Sequence, residues 1–402
     1  MAIPRVRPGN YPAILSYGFR PFFLLGSLYA GLTILAWLPM LSGRLETASG
    51  FAPVDWHIHE MIFGYVAAIV TGFLLTAIPN WTGRLPVQGL PLLALALLWL
   101  AGRLAVFFSD DIGWLAAAVI DSAFLLAVAA AAAVEIVAGR NWRNLKVLAP
   151  VSVLFAANVM FHLEVRFAGG ADMARRLGIG AAVLLVMIIG GRIIPSFTRN
   201  WLARQNPGRL PVPFNRFDAA TIVFSVFAIA AWTFAPDHLA SGTLLLGAGG
   251  LNIARLGRWA GERSWRDPLV IILHVAYAFV PIGFVLAGLA ALLPDAVPPA
   301  AGLHAFGTGA IGAMTLAVMA RATLGHTGRE LQASNATCLV FVAIVVSAVL
   351  RVAYAFMPGA TALLHASAAA WTLAFLGYAA LYGGMLVRPR LRPRQPNPAP
   401  SQ

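Results

Sequence analysis

Two imidazoles and a carboxylate stand together in Trp56-His57-Ile58-His59-Glu60-Met61, directly ahead of an apolar run from Ile62 to Ile78. Histidine and glutamate ligate metals and move protons, and ionisable groups where a helix enters a membrane are costly enough that function usually retains them. The competing reading is an interfacial anchor whose rings simply reach water. Of the remaining histidines, His162, His274, His304 and His365 fall inside apolar stretches or at their heads, as do Asn158, Asp121, Glu164, Arg103, Arg166 and Arg351. His238 and His326 read as loop residues. Cys338 is the only cysteine, which excludes disulfides, zinc ribbons and iron–sulfur clusters held by this chain alone. A bound metal must use His, Met or carboxylate ligands.

The elements that position these groups follow from composition. The chain has 402 residues, 60% hydrophobic and 11% charged, with mean hydropathy +0.79. Its apolar stretches approach the roughly 20 residues that cross a bilayer. This predicts an all-α polytopic membrane protein with about twelve transmembrane helices, over 21–41, 57–79, 88–108, 113–138, 145–168, 173–194, 217–236, 239–257, 267–293, 300–320, 334–356 and 361–387. Residues 1–387 read as one transmembrane domain, and 388–402 as a basic, Pro-rich tail expected to be disordered. Pro4, Pro8 and Pro12 interrupt the first residues, so no cleavable signal peptide is expected.

The net charge of +13 is distributed by loop. With the N-terminus inside, cytoplasmic segments hold 22 of the 28 Lys and Arg, including Arg5, Arg7, Arg84, Arg192, Arg255, Arg321 and Arg388, while the outer loops hold Arg44, Arg175 and Arg176. This is the positive-inside bias, so the basic balance encodes orientation, with both termini cytoplasmic, and implies no nucleic-acid partner.

The spans divide into three groups of four, 15–138, 145–257 and 267–387. His59 precedes Thr82-Gly83-Arg84 by 23 residues and His304 precedes Thr327-Gly328-Arg329 by 23; Gly64 and Gly309 each follow their histidine by five. An offset of 129 superimposes Gly178 on Gly307, Gly180 on Gly309, Arg192 on Arg321 and Thr198 on Thr327, which makes spans 2, 6 and 10 equivalent. Chance alignment of the small residues common in membrane helices is the competing account.

Topology gathers His57, His59, His162, His304 and His365 in the outer leaflet. Imidazoles from separate spans suit haem iron or copper. His59 and His304, at matching positions, are the expected pair clamping a haem, with Gly64, Gly307 and Gly309 letting a flat macrocycle approach. His57 and His59 diverge by about 200° on a helix, so only one can face that site. Arg103, Arg166 and Arg351 are candidate partners for haem propionates, unless paired with Asp121 or Glu164. His57, His162, His274 and His365 are the candidates for a second metal, with His274 the better placed on the inner side. Ordinary polar packing between helices remains the alternative for the whole set.

Trp56-His57-Ile58-His59-Glu60-Met61-Ile62-Phe63-Gly64, the segment Gly72 to Gly83, Trp99-Leu100-Ala101-Gly102-Arg103, Gly325-His326-Thr327-Gly328-Arg329, the opening Phe19-Arg20-Pro21-Phe22-Phe23 and the pair Leu273-His274 resemble the NnrS family, over nearly the whole chain. That resemblance implies a twelve-span protein of the bacterial inner membrane that contains haem and copper and is linked to nitric oxide metabolism and nitrosative stress. A looser likeness is to haem-copper oxidases and nitric oxide reductases, whose catalytic subunit arranges twelve spans in three arcs and takes low-spin haem ligands from its second and tenth spans. Span 6 here has no histidine and no His-Pro-Glu-Val-Tyr pattern occurs, so the copper site of those enzymes does not carry over.

The leading expectation is a protein with haem b and copper that binds, detoxifies or turns over nitric oxide or another small diatomic ligand, with an unidentified electron donor. A transporter or metal-handling permease using Asp121, Glu164 and Arg351, and a non-catalytic haem-based sensor, are the alternatives.

Overall fold

In a computed structural model, residues 10–205 and 208–391 are described. Arg5, Arg7 and the tail from 392 onward lie outside the described residues. Twelve helices are long and apolar enough to cross a membrane: Phe19–Leu41, Pro53–Thr82, Leu90–Phe107, Trp114–Ala138, Leu145–Ala168, Asp172–Leu202, Arg216–Phe234, Leu239–Gly257, Pro268–Leu292, Pro299–His326, Asn335–Phe356 and Thr361–Val387. They are called spans 1 to 12 below. With no water in a bilayer to take an exposed backbone group, only helices satisfy every N–H and C=O within the segment.

Local sequence sets the ends. Pro53, Pro268 and Pro299 open helices where the missing N–H costs nothing. Asn215 and Asp218 form a capping box at span 7. Gly83, at φ +71°, closes span 2 in the left-handed conformation that a side chain would resist. The helices differ most from expectation in spans 2, 6 and 10, which run on to Thr82, Leu202 and His326. Pro79 and Pro195 do not stop two of them, and His326, expected in a loop, ends the third and packs against Tyr17 and Phe19.

Neighbours along the chain are neighbours in space, and span 12 returns to pack on span 1, which closes a ring. Spans 2, 6 and 10 occupy its middle. Of the span 2 window 78% is buried, and of spans 6 and 10 67%, against 33–44% for the peripheral spans; span 9, beside them, also reaches 67%. Span 6 touches both of its counterparts, and the Tyr65 and Thr315 hydroxyls bond across spans 2 and 10.

Each central span carries a stretch of π-helix, at Glu60–Val66, Val186–Gly190 and Ala305–Gly312. In spans 2 and 10 it begins one residue after His59 and His304; in span 6 it lies further along than the offset of 129 would put it. Such a bulge widens the helix and presents carbonyls to other partners. Trp99 Nε1 donates to Gly64 O at 2.9 Å, and Arg255 Nη1 to Met187 O at 3.1 Å. The arginine-bearing loops define a basic end of the bundle. There the first residues of the tail are fixed, Leu391 N donating to Thr327 O at 3.0 Å and Arg20 Nη1 to Arg388 O at 2.7 Å.

Candidate functional site

The sequence cluster at the head of span 2 separates into two sites at the end opposite the basic one. Between spans 1, 2, 10, 11 and 12 lies a cavity of about 350 Å3, within the size range of ligand sites. Span 1 contributes Ile34 and Trp37; span 2 contributes His57, Ile58, Met61 and Tyr65; span 10 contributes Leu303, His304, Gly307 and Thr308. Arg351, Tyr354 and Trp371 come from spans 11 and 12, and exposed Leu41 and Val54 stand at the helix ends around it. Two imidazoles thus meet the Arg351 and Arg175 guanidiniums in a largely apolar chamber.

His57 and Arg351 touch aromatic rings and no charged partner among the described residues. Arg351 forms no ion pair among the described residues; its Cζ lies 5.1 Å from the Tyr354 ring centre. Arg175 also lines the chamber but is paired with Asp172 at 2.6 Å. His57 Nδ1 is buried with no hydrogen-bond partner, and its ring stacks on Trp37 with centroids 4.2 Å apart and planes at 22°. Buried polar atoms are rarely left so.

His59 lies on the other side of span 2, fully buried against spans 3, 4 and 5. Nδ1 meets Glu60 Oε1 at 2.9 Å, while Nε2 meets Asn158 Oδ1 at 3.0 Å and Asp121 Oδ2 at 3.1 Å. With acceptors at both nitrogens the ring serves them all only as an imidazolium. Arg103 donates to Glu60 Oε2 at 2.6 Å and is paired with Asp121 Oδ1; Tyr29 donates to Glu60, and His162 Nε2 meets Asp121 Oδ2 at 3.0 Å. Two carboxylates therefore face one guanidinium and one imidazolium. The cluster balances its own charge, the condition for burying ions in a low-dielectric interior.

His59, Asp121 and His162 form the only group of three potential metal ligands among the described residues, with their ligand atoms all within 4.8 Å of one another. The donor types suit copper or zinc. Yet both His59 nitrogens, His162 Nε2 and both Asp121 oxygens already have partners within the protein, and a guanidinium rests on the one carboxylate. Within the cluster Arg103 Nε and Asn158 Nδ2 are buried without a hydrogen-bond partner.

The structure redistributes the expected ligands. His304 lines the chamber with His57 and not with His59, which lies on the side of span 2 toward spans 4 and 5. Arg103 is committed to two carboxylates and is no free donor for propionates, as its pairing with Asp121 already suggested. Arg166 is exposed over Phe167, and Glu164 accepts from Met173 N and Ala174 N at 3.1 and 3.2 Å, capping span 6. His365 is exposed outside the chamber, and His238 caps span 8. His274 sits toward the basic end, its Nε2 at 2.8 Å from Thr198 Oγ1 and its Nδ1 unpartnered, and it belongs to no group of three potential metal ligands among the described residues.

The glycines divide as well. A Cβ on Gly64 would meet Glu60 Oε2 at 2.8 Å and Arg103 Nη1 at 2.9 Å, so this glycine seats the ionic cluster; a Cβ on Gly309 would run into the Phe279 ring. Only Gly307 lines the chamber, with open space where a Cβ would stand.

A second buried ion pair was read as loop charge. Arg255 is fully buried within span 8, paired with Asp218 at 2.9 Å and bonded to Tyr277 Oη at 2.8 Å. Its signal was its place inside the 239–257 stretch, opposite an acid just inside the 217–236 stretch. Trp37, Tyr29 and Tyr65 carried no such signal, since their partners lie tens to hundreds of residues away.

The fold and site define a class: a twelve-span helical membrane protein with a histidine-lined chamber between its central and peripheral helices. The chain belongs to the NnrS family, whose model, described as NnrS protein, matches residues 13–390. No curated protein and no solved structure gives a match.

Proposed function

We propose that the protein is a haem-binding membrane protein of the nitric oxide response, with the haem held in the chamber by His57 and His304. The observation that carries this is the meeting of two imidazoles from two central spans with an unpaired guanidinium in an apolar cavity. The residues fit the group: ring nitrogens suit the iron, Arg351 suits a propionate, and Gly307 leaves room for a macrocycle. Haem bound there supplies an iron that exchanges electrons and takes diatomic ligands.

The chain's own part is to bind, orient and dry. His57 and His304 would supply ring nitrogens to the iron from spans 2 and 10, Arg351 would pair with a propionate, and Tyr65, Ile62 and Trp371 line the chamber against water. Nitric oxide is small and apolar, so it reaches such a chamber through the lipid. Were both histidines to ligate the iron, no coordination position would stay open, which favours electron transfer, or nitric oxide binding only where one histidine gives way, with the electron donor a separate partner.

Copper is harder to seat. The His59, Asp121 and His162 donors suit it chemically, but a copper ion there would have to displace the contacts of both His59 nitrogens, His162 Nε2 and Asp121. The transport reading draws no comparable support, since Glu164 caps a helix and Asp121 is tied into the sealed cluster. The positive-inside distribution supports insertion in a bacterial inner membrane with the basic end cytoplasmic and the chamber in the outer leaflet.

The test is quantification of haem, iron and copper in the purified full-length protein. A Soret band with stoichiometric iron is expected; colourless, iron-free protein from haem-replete cells overturns the proposal.

A further inference from the structure

Histidines that ligate metals almost always donate their second ring N–H to a carboxylate or carbonyl, which fixes the tautomer and the ring plane. His57 has no such partner: Nδ1 is the buried nitrogen and nothing accepts from it. What holds the ring is Trp37, buried on span 1 and stacked on it at 4.2 Å and 22°. This leaves Nε2 as the nitrogen available to the chamber. We propose that Trp37 is the positioning residue for His57, orienting by ring stacking a ligand whose supporting hydrogen bond is missing.

The inference rests on the reading of His57 as a haem ligand. An indole face lies flat against one side of the imidazole and blocks its rotation about the bond to Cβ, a constraint a hydrogen bond usually supplies. Other neighbours cannot replace it. The ion pairs nearest in sequence belong to His59 and Glu60, on the far side of span 2. A flat ring at position 37 is therefore required, and the indole N–H is not, since Trp37 Nε1 itself has no partner.

The experiment compares Trp37→Phe, Trp37→Leu and His57→Ala in the full chain, purified from haem-replete cells. Read-outs are the haem-to-protein ratio, the low-temperature electron paramagnetic resonance spectrum, which reports the plane of the axial imidazole, and the thermal unfolding midpoint of the haem-free protein. Trp37→Phe is expected to match the parent in all three. Trp37→Leu is expected to retain haem about tenfold more weakly, the low end of the range for losing such a support, and to show a shifted, broadened spectrum. Its haem-free protein is expected to unfold where the parent does. The inference is overturned if Trp37→Leu keeps the parental spectrum and haem retention while His57→Ala loses haem, or if Trp37→Phe fails as badly as Trp37→Leu. If His57→Ala itself keeps haem and spectrum, the ligand assignment fails, and this inference with it.

Discussion

His57 and His59, two residues apart on span 2, face opposite sides of it. The first lines a chamber with His304; both ring nitrogens of the second end in hydrogen bonds with Glu60, Asn158 and Asp121. Their substitutions should therefore differ in kind. His57→Ala and His304→Ala are expected to lose bound haem while unfolding near the parental temperature. His59→Ala is expected to lower that temperature, because it strips a cation from a cluster holding two carboxylates. Haem content and thermal unfolding of detergent-purified protein separate the cases; full haem in both chamber variants would end the assignment.

Arg103 is the second charge of that cluster. Removing one member of a buried ion pair costs about 3–5 kcal/mol, since the partner is left charged and unpaired. Arg103→Met should reach that range, and adding Glu60→Gln should recover part of it. Equilibrium unfolding in mild detergent measures both, and an Arg103→Met protein as stable as the parent contradicts the charge balance.

The glycines offer a contrast at constant chemistry. Gly64→Ala and Gly191→Ala each force a methyl into an arginine, at 2.9 Å from Arg103 Nη1 and 2.0 Å from Arg255 Nη2, and are expected to destabilise by about 1–3 kcal/mol. Gly307→Ala meets no atom within 4 Å and should leave stability alone while lowering haem retention, because the methyl projects into the chamber. Equal stability loss at all three positions would show the chamber to be filled by protein.

Chelation tests the closed state of the His59, Asp121 and His162 group. Prolonged dialysis against a strong chelator is expected to leave the unfolding temperature unchanged, since both His59 nitrogens, His162 Nε2 and both Asp121 oxygens are held by neighbouring side chains. A drop that copper alone reverses would assign a metal to this cluster.

Much of the fold was legible because a bilayer imposes a length and a composition on whatever crosses it. Span 12 begins and ends where its apolar stretch does, at Thr361 and Val387. The overruns at Thr82, Leu202 and His326 escaped that rule, since buried central helices continue past the apolar limit on protein contacts. The π-helical stretches left no mark in the sequence either: hydrophobic periodicity does not register a single widened turn.

The sequence by itself determined the twelve spans, the family, the end of the bundle where the chemistry gathers, and that His57 and His59 must part company. Helical phase sets the angle between two residues, and that much is local. Tertiary structure alone decided which of them meets His304, since an angle between side chains says nothing of which helix lies on each side. It decided equally that Arg103 is spent on Glu60 and Asp121 while Arg351 lies against Tyr354 with no ion pair among the described residues, because ion pairing depends on which helices pack together.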